Sequence, residues 1–124
     1  MMKSKYGNHK TMVGGFLFDS KREAARYQEL KLLQAAGKIA CLMLHPKFEL
    51  VPKTKKRRAV TYSADFQYKE PYWSSADGMG PRQAYRDVVE DVKSTVTAKN
   101  KAYIVKRNLF EYQNPNITFR EVIA

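Results

Sequence analysis

Asp91 and Lys93 stand two residues apart in YRDVVEDVKS, the run from Tyr85 to Ser94, where Val88, Val89 and Val92 are strong strand formers. Positions i and i+2 of a strand share a face, so the Asp91 carboxylate and the Lys93 ammonium point the same way. Glu90 points the other way with Val88 and Val92. A second strand-forming run, AVTYSADFQY (59–68), carries Asp65 on its polar face. If the two strands are neighbours, two carboxylates and one ammonium meet in one cleft. Such a set suits Mg²⁺, a hard cation that keeps waters and takes one or two protein carboxylates. A cation held there polarises a phosphate and lowers the pKa of bound water. The lysine would orient or deprotonate that water, or neutralise developing charge. The plainer alternatives are a surface ion pair for Asp91 and Lys93 and a solvated Asp65.

These residues need a frame to hold them. DSKREAARYQELKLLQAAGK reads as a helix with both ends marked, Ser20 and Glu23 forming an S-x-x-E capping box and Gly37 supplying the stop. Tyr27, Leu30 and Leu33 form one apolar stripe, and Ala25, Leu32 and Ala36 a second on the opposite side, which predicts a helix covered on two sides. Glu23 lines up with Tyr27 and Leu30, so it both caps the helix and has a path inward. FLF (16–18) is a short strand or an apolar lead-in to the helix. IACLML (39–44) and KFELV (47–51) are short strands separated by His45-Pro46. In AVTYSADFQY, Val60, Tyr62, Ala64, Phe66 and Tyr68 alternate with polar residues, predicting one strand with one core face. KEPYWSSADGMGPRQ (69–83) is an extended loop or hairpin insertion. Residues 95–112 are helical, and ITFREV (117–122) is a last strand. The order is helix, three strands, a fourth strand, a helix and a strand, a mixed α/β or α+β domain over 16–124 preceded by a basic, flexible arm over 1–15.

The chain has 124 residues, enough for one domain, and 23 Lys plus Arg against 12 Asp plus Glu, a net charge of +11. That balance points to a polyanionic partner, most simply nucleic acid. The densest basic run is Lys53, Lys55, Lys56, Arg57 and Arg58, a loop fit for backbone phosphates or simply a solvated one. Lys3, Lys5, His9 and Lys10, and later Lys99, Lys101, Lys106 and Arg107, would extend that surface. Tyr72 and Trp73 would stack on an unpaired base or, more simply, pack back on the core. No apolar run approaches the ~18 residues of a membrane span. The N-terminus has no apolar signal segment, and the single Cys41 allows no internal disulfide, so the chain reads as cytoplasmic.

Taken together, FDSKREAARY, YSADFQY and VVEDVKS resemble the PD-(D/E)XK nuclease superfamily, with its restriction-endonuclease-like fold. KYGNHKT, FDSKREAARYQELKLLQAAGKI, LHPKFEL, YSADF, VVEDVKS and ITFREV resemble, in order and spacing over roughly residues 5 to 122, a small phage and prophage family of formerly unknown function placed in that superfamily. The resemblance implies an α-β-β-β-α-β core around a mixed central sheet. It implies Asp65 as the first acidic ligand, Asp91 as the second, Val92 as donor of a backbone carbonyl to the metal, and Lys93 as the catalytic lysine. Glu23 matches the helix acid of several branches, including phage Holliday-junction resolvases and transposon-end nucleases. Ala64 stands where proline is frequent, and His45 where the phage family has glutamine. His45 then faces substrate or the attacking water, or is a core histidine, the simpler reading. Glu90 replaces Asp91 as ligand only if the strand register slips by one.

The expectation is therefore a Mg²⁺- or Mn²⁺-dependent DNA endonuclease. It would be structure-selective on branched DNA in the manner of a Holliday-junction resolvase, or else a nicking or recombination nuclease. A branched substrate has two arms to cut and one chain offers one active site, so a homodimer is expected, in the cytoplasm of a bacterial host cell if the chain is phage-encoded. The alternatives are a non-catalytic nucleic-acid-binding protein that retains the fold, and a nuclease acting on RNA.

Overall fold

The computed structural model describes residues 10–75 and 78–124. Their elements, in chain order, are β1 (Thr11–Val13), β2 (Phe16–Phe18), α1 (Lys21–Ala35), β3 (Ala40–Leu44), β4 (Lys47–Val51), β5 (Val60–Ser63), β6 (Phe66–Ser74), β7 (Arg82–Lys93), α2 (Thr95–Ala98), α3 (Lys101–Gln113) and β8 (Ile117–Ile123). The architecture is mixed α+β. A four-stranded sheet has the order β3-β6-β7-β8, while β1–β2 and β4–β5 form separate two-stranded sheets. β3, β6 and β7 are antiparallel neighbours, and β8 runs parallel to β7. No helix among the described residues is long and apolar enough to cross a membrane.

α1 begins and ends where the sequence marks it. Ser20 is extended, and its side chain accepts a hydrogen bond from the Glu23 N–H, which satisfies one orphan donor of the first turn. Gly37 adopts φ +75°, a left-handed conformation that costs glycine little, and closes the helix. Only one face is covered, however. Glu23, Ala24, Tyr27 and Leu30 are buried, whereas Leu32 is 72% exposed and Ala25 and Ala36 are also exposed. One sheet face meets α1, so the second apolar stripe has no counterpart among the described residues.

The sheet separates two cores. Val88 packs with Phe18, Tyr27, Leu30, Phe66 and Tyr68 on the α1 side. Its neighbour Val89 packs with Leu50, Tyr62, Ala64 and Phe110 on the α3 side. The alternating run 59–68, expected as one strand, is two. β5 pairs with β4, the chain bends at residues 64–65, and β6 joins the main sheet. Tyr62 and Ala64 therefore serve one core and Phe66 and Tyr68 the other, although their spacing never changes.

Other differences follow from local capping and pairing. Thr11–Val13, assigned by sequence to the arm, pair with Phe16–Phe18, so FLF is a strand. Lys3, Lys5 and His9 lie outside the described residues. The 69–83 segment is a β-hairpin whose strands pair from Phe66↔Glu90 to Ser74↔Arg82. At its end Trp73 is 73% exposed, and Tyr72 lies beneath the Arg86 guanidinium, 4.4 Å from ring centroid to Cζ. Neither ring packs back into the core. The helix expected over 95–112 is interrupted because Asn100 caps a new start, its side chain accepting from the Tyr103 N–H.

Candidate functional site

A cleft of about 170 Å³ lies where the C-terminal end of β7 meets the first turn of α1, lined by Asp19, Ser20, Arg22, Glu23, Asp65, Val92, Lys93, Ser94 and Thr97. Asp65 stands at the bend between β5 and β6. Its backbone N–H donates to the Glu90 carbonyl (3.2 Å), and its carbonyl accepts from the His45 N–H (2.9 Å). Its side-chain Oδ2 accepts from the Val92 N–H at 2.7 Å. Strand β7 and the turn between β3 and β4 thus hold this aspartate. The N–H and C=O of a strand residue lie on the same edge, so the Val92 carbonyl also opens on the Asp65 side of β7.

Asp91 and Lys93 share the α3 face of β7, as their spacing requires. Lys93 Nζ lies 3.0 Å from Asp91 Oδ1 and 4.9 Å from the Tyr103 ring centroid, so the ammonium is held between a carboxylate and an aromatic face. The Tyr103 hydroxyl is tied to Glu121 at 2.5 Å. Asp91 is fully buried. Its Oδ2 accepts from the Tyr62 hydroxyl, but its Oδ1 receives no hydrogen bond despite the nearby ammonium. The Lys93 ammonium is therefore the charge partner of this buried oxygen, which keeps room for a further donor.

Glu23 comes to the same place from α1. Buried in the first turn, it accepts or shares a hydrogen bond with His45 Nε2 at 2.7 Å. One ligand atom from each of Glu23, His45 and Asp65 lies within 4.8 Å of the others, a group able to hold a metal ion. His45 is exposed and sits at φ +52°, so it is not a core histidine. Glu90, by contrast, faces the α1 core, where Arg26 and the Tyr68 hydroxyl take both its oxygens. It stands on the opposite face from Asp91 and is kept out of the cleft by its partners.

The electrostatics match this crowding. Burial, then repulsion from Asp91 and Glu23, pushes the Asp65 carboxyl above the usual carboxylate range, against the opposing Val92 N–H. Burial also raises Glu23, partly offset by His45. Both groups bind protons more tightly folded than unfolded. Their contribution to stability is therefore complete below the ordinary carboxylate range and is lost as pH rises through the raised values. In EDTA, the melting temperature of the wild type should fall more between pH 5 and pH 8 than that of Asp65→Asn. Parallel curves for the two proteins would refute this account.

Sequence reasoning missed Tyr62 as part of the site, since it reads as a core residue. Burial and the negative charge of Asp91 push its pKa up, so it stays a hydrogen-bond donor to Asp91. The general signal was there, because a buried tyrosine hydroxyl needs a partner. Lys53, Lys55, Lys56, Arg57 and Arg58 occupy the exposed β4–β5 loop, turned by Thr54, whose hydroxyl accepts from the Lys56 and Arg57 N–H groups. Arg107 is instead paired with Glu121.

The chain belongs to the family described as "Protein of unknown function (DUF1064)", which matches residues 3–124. No curated protein and no solved structure matches it.

Proposed function

We propose that this DUF1064 chain is a metal-dependent DNA endonuclease of PD-(D/E)XK type, acting on branched DNA as a Holliday-junction resolvase does, or nicking duplex DNA. The observation that carries the reading is the convergence of three carboxylates, Asp65, Asp91 and Glu23, with the Lys93 ammonium 3.0 Å from Asp91 Oδ1. The element order α1-β3-β6-β7-α3-β8 supports it, since it is the α-β-β-β-α-β order of that superfamily with the β4–β5 hairpin inserted. A restriction-endonuclease-like core belongs to the same proposal.

The donor set fits a hard divalent cation, Mg²⁺ or Mn²⁺: Asp65, Asp91 and the Val92 carbonyl would hold it, with Glu23 within reach. When bound, the cation supplies polarisation of the phosphate and a water of lowered pKa. The protein does the rest. The Val92 N–H and the strand contacts on both sides of Asp65 aim its carboxylate at the cleft. Tyr62 fixes the rotamer of Asp91. Lys93, braced by Asp91 and Tyr103, places a positive charge where a water or phosphate oxygen would stand. Water adds to phosphorus and gives its proton to solvent, the bond to the leaving deoxyribose oxygen breaks, and that oxygen takes a proton from solvent, while the Lys93 ammonium offsets the charge that develops on the phosphate.

The five cations of the β4–β5 loop pair with no carboxylate among the described residues, which leaves them available to phosphates. The loop stands one strand length from Asp65, about 15–20 Å at strand rise, suiting contacts several base pairs from the cut. If about five phosphates are neutralised, log affinity should fall with log salt at a slope near −4 to −5. A slope near zero in a fluorescence-anisotropy titration would refute the contact. A binding protein that retains the fold would share this loop, but its carboxylate cluster would repel DNA in the absence of a cation. Paired cutting of two arms calls for a homodimer. The decisive experiment is cleavage of supercoiled plasmid and of a four-way junction with Mg²⁺, with Mn²⁺ and with EDTA. Cutting only with metal supports the reading, and cutting of no form in any metal overturns it.

A further inference from the structure

We propose that the far half of the β6–β7 hairpin is a self-association surface, on which a second copy of this chain docks through Pro71, Trp73 and Tyr85. The inference concerns assembly and stands whether or not the chain is a nuclease.

β6 and β7 outrun the rest of their sheet. β3 follows β6 no farther than Lys69, and β8 begins opposite Asp87. From Glu70 to Trp73, and from Gln83 to Arg86, the hairpin is a two-stranded ribbon with no third strand beside it among the described residues. Such a ribbon alone in water is at best marginally stable, so one this long gains from a partner.

Its two faces differ. Residues opposite one another in an antiparallel pair share a face, as do residues two apart along a strand. Tyr72 and Arg86 lie on the α1 side, the ring beneath the guanidinium, and Glu70 there accepts from Arg120 at 2.7 and 2.9 Å. That face is closed by its own contacts. Pro71 is opposite Tyr85, and Trp73 is two residues on, so these three share the α3 side. Trp73 is 73% and Tyr85 55% exposed there, and nothing among the described residues covers them.

Charge indicates the occupant. The chain carries +11, so two copies repel over most of their surface, and an acidic partner is drawn to the basic loop. Residues 69–87 carry no net charge, since Lys69, Arg82 and Arg86 balance Glu70, Asp77 and Asp87. At the foot of the apolar face Lys69 is paired with Asp87 at 3.0 Å. A polyanion gains little from a neutral stretch. A second copy gains more, because like-charged chains can approach here and a two-fold contact needs only a face that packs on itself. Pro71 has no N–H and blunts the edge of β6, so the contact is face to face and not strand addition. The cleft stays open, for Asp91 is six residues beyond Tyr85 along β7, about 20 Å at strand rise.

The surface is small. Trp73 and Tyr85 together offer roughly 200–300 Å², about a third of what one partner gives to a stable complex. Association is accordingly weak, on the order of 10–100 μM.

Trp73 is the single tryptophan, so its emission reports on this face alone. The test follows the full chain without DNA by sedimentation equilibrium and tryptophan fluorescence, over concentrations spanning that range, in low and in high salt. Mass should rise from 14.3 kDa toward twice that value, with a blue shift of emission in step. Salt should tighten self-association about threefold or more by screening two positive chains, the opposite of its effect on DNA binding. Tyr85→Lys and Trp73→Ala, both at exposed positions, should melt as the wild-type monomer does and raise the concentration for half-association by about tenfold or more. A wild type that stays monomeric, associates without a change in emission, or associates less in high salt overturns the proposal, and these readings need no variant to fold. Folded variants that associate like wild type overturn it too. A monomer whose Trp73 emission is quenched by single-stranded DNA would make the face a platform for bases instead. A dimer that cuts no DNA would refute the nuclease reading alone, and a monomer that cuts the four-way junction would refute this inference alone.

Discussion

Lys93→Ala is expected to slow metal-dependent cleavage of plasmid and four-way junction by about 10²–10³-fold, with DNA affinity within about twofold of wild type. The expectation comes from where the ammonium is held. It lies 3.0 Å from Asp91 Oδ1 and against the Tyr103 ring, at the wall of the cleft that also presents Asp65 and Glu23. It makes one charge contact in a cluster, whereas the proposed phosphate contacts are spread over the β4–β5 loop, so its loss should act on the transition state more than on affinity. Asp91→Asn should be more severe, because it removes the charge that holds Lys93 and, in the proposed site, would hold the cation, while leaving a side chain able to meet the Tyr62 hydroxyl. Single-turnover gels, with anisotropy for binding, separate the two quantities. Lys93→Ala cutting at the wild-type rate would remove Lys93 from the mechanism, and loss of binding in step with loss of cutting would make it a phosphate anchor.

Glu90→Ala should lower stability by about 3 kcal/mol, although it is the sequence neighbour of Asp91. Glu90 is fully buried and gives both oxygens to Arg26, with the Tyr68 hydroxyl bonded to Oε2 at 2.7 Å. Burial, then that bond and the Glu90 charge, push the Tyr68 hydroxyl up to about 12, so it remains a donor. Removing the carboxylate opens a cavity and strands a guanidinium and a hydroxyl. The cost stays at the lower end for a broken buried pair because Arg26 is 22% exposed and can recover water, and because Tyr68 keeps Arg120 at 3.2 Å. Urea unfolding of Glu90→Ala beside Asp91→Asn would expose the contrast. Asp91→Asn should be as stable as wild type or more so in EDTA, since it relieves repulsion with Asp65. Equal destabilisation of both would contradict the assignment of one residue to folding and the other to the cleft.

The crowding of charge in YRDVVEDVKS therefore has two causes. Side-chain alternation was enough to separate Glu90 from Asp91 and to put Asp91 with Lys93, because period two is a property of the extended backbone. The ends of α1 were legible for the same kind of reason, since a serine cap and a glycine stop act within one turn. The basic loop, too, needed only composition. What the strand residues would meet was not legible. Nothing in Glu90 announces Arg26, which is 64 residues away, and nothing in His45 announces Glu23, 22 residues away.

The run AVTYSADFQY shows the limit most clearly. Its alternation is unbroken, yet the chain bends at residues 64–65, because the Asp65 N–H finds the Glu90 carbonyl and its carbonyl accepts from the His45 N–H. Both partners come from distant segments. In the same way α1 carries two apolar stripes, but only one meets a sheet, and Leu32 stays exposed. Which residues alternate, where helices start and stop, and how much positive charge the chain carries follow from neighbours along the backbone and were legible without a fold. Tertiary structure decided which strand bends, which helix face is covered, and which carboxylates share a cleft, since these depend on hydrogen bonds and packing between segments that meet only in the folded chain.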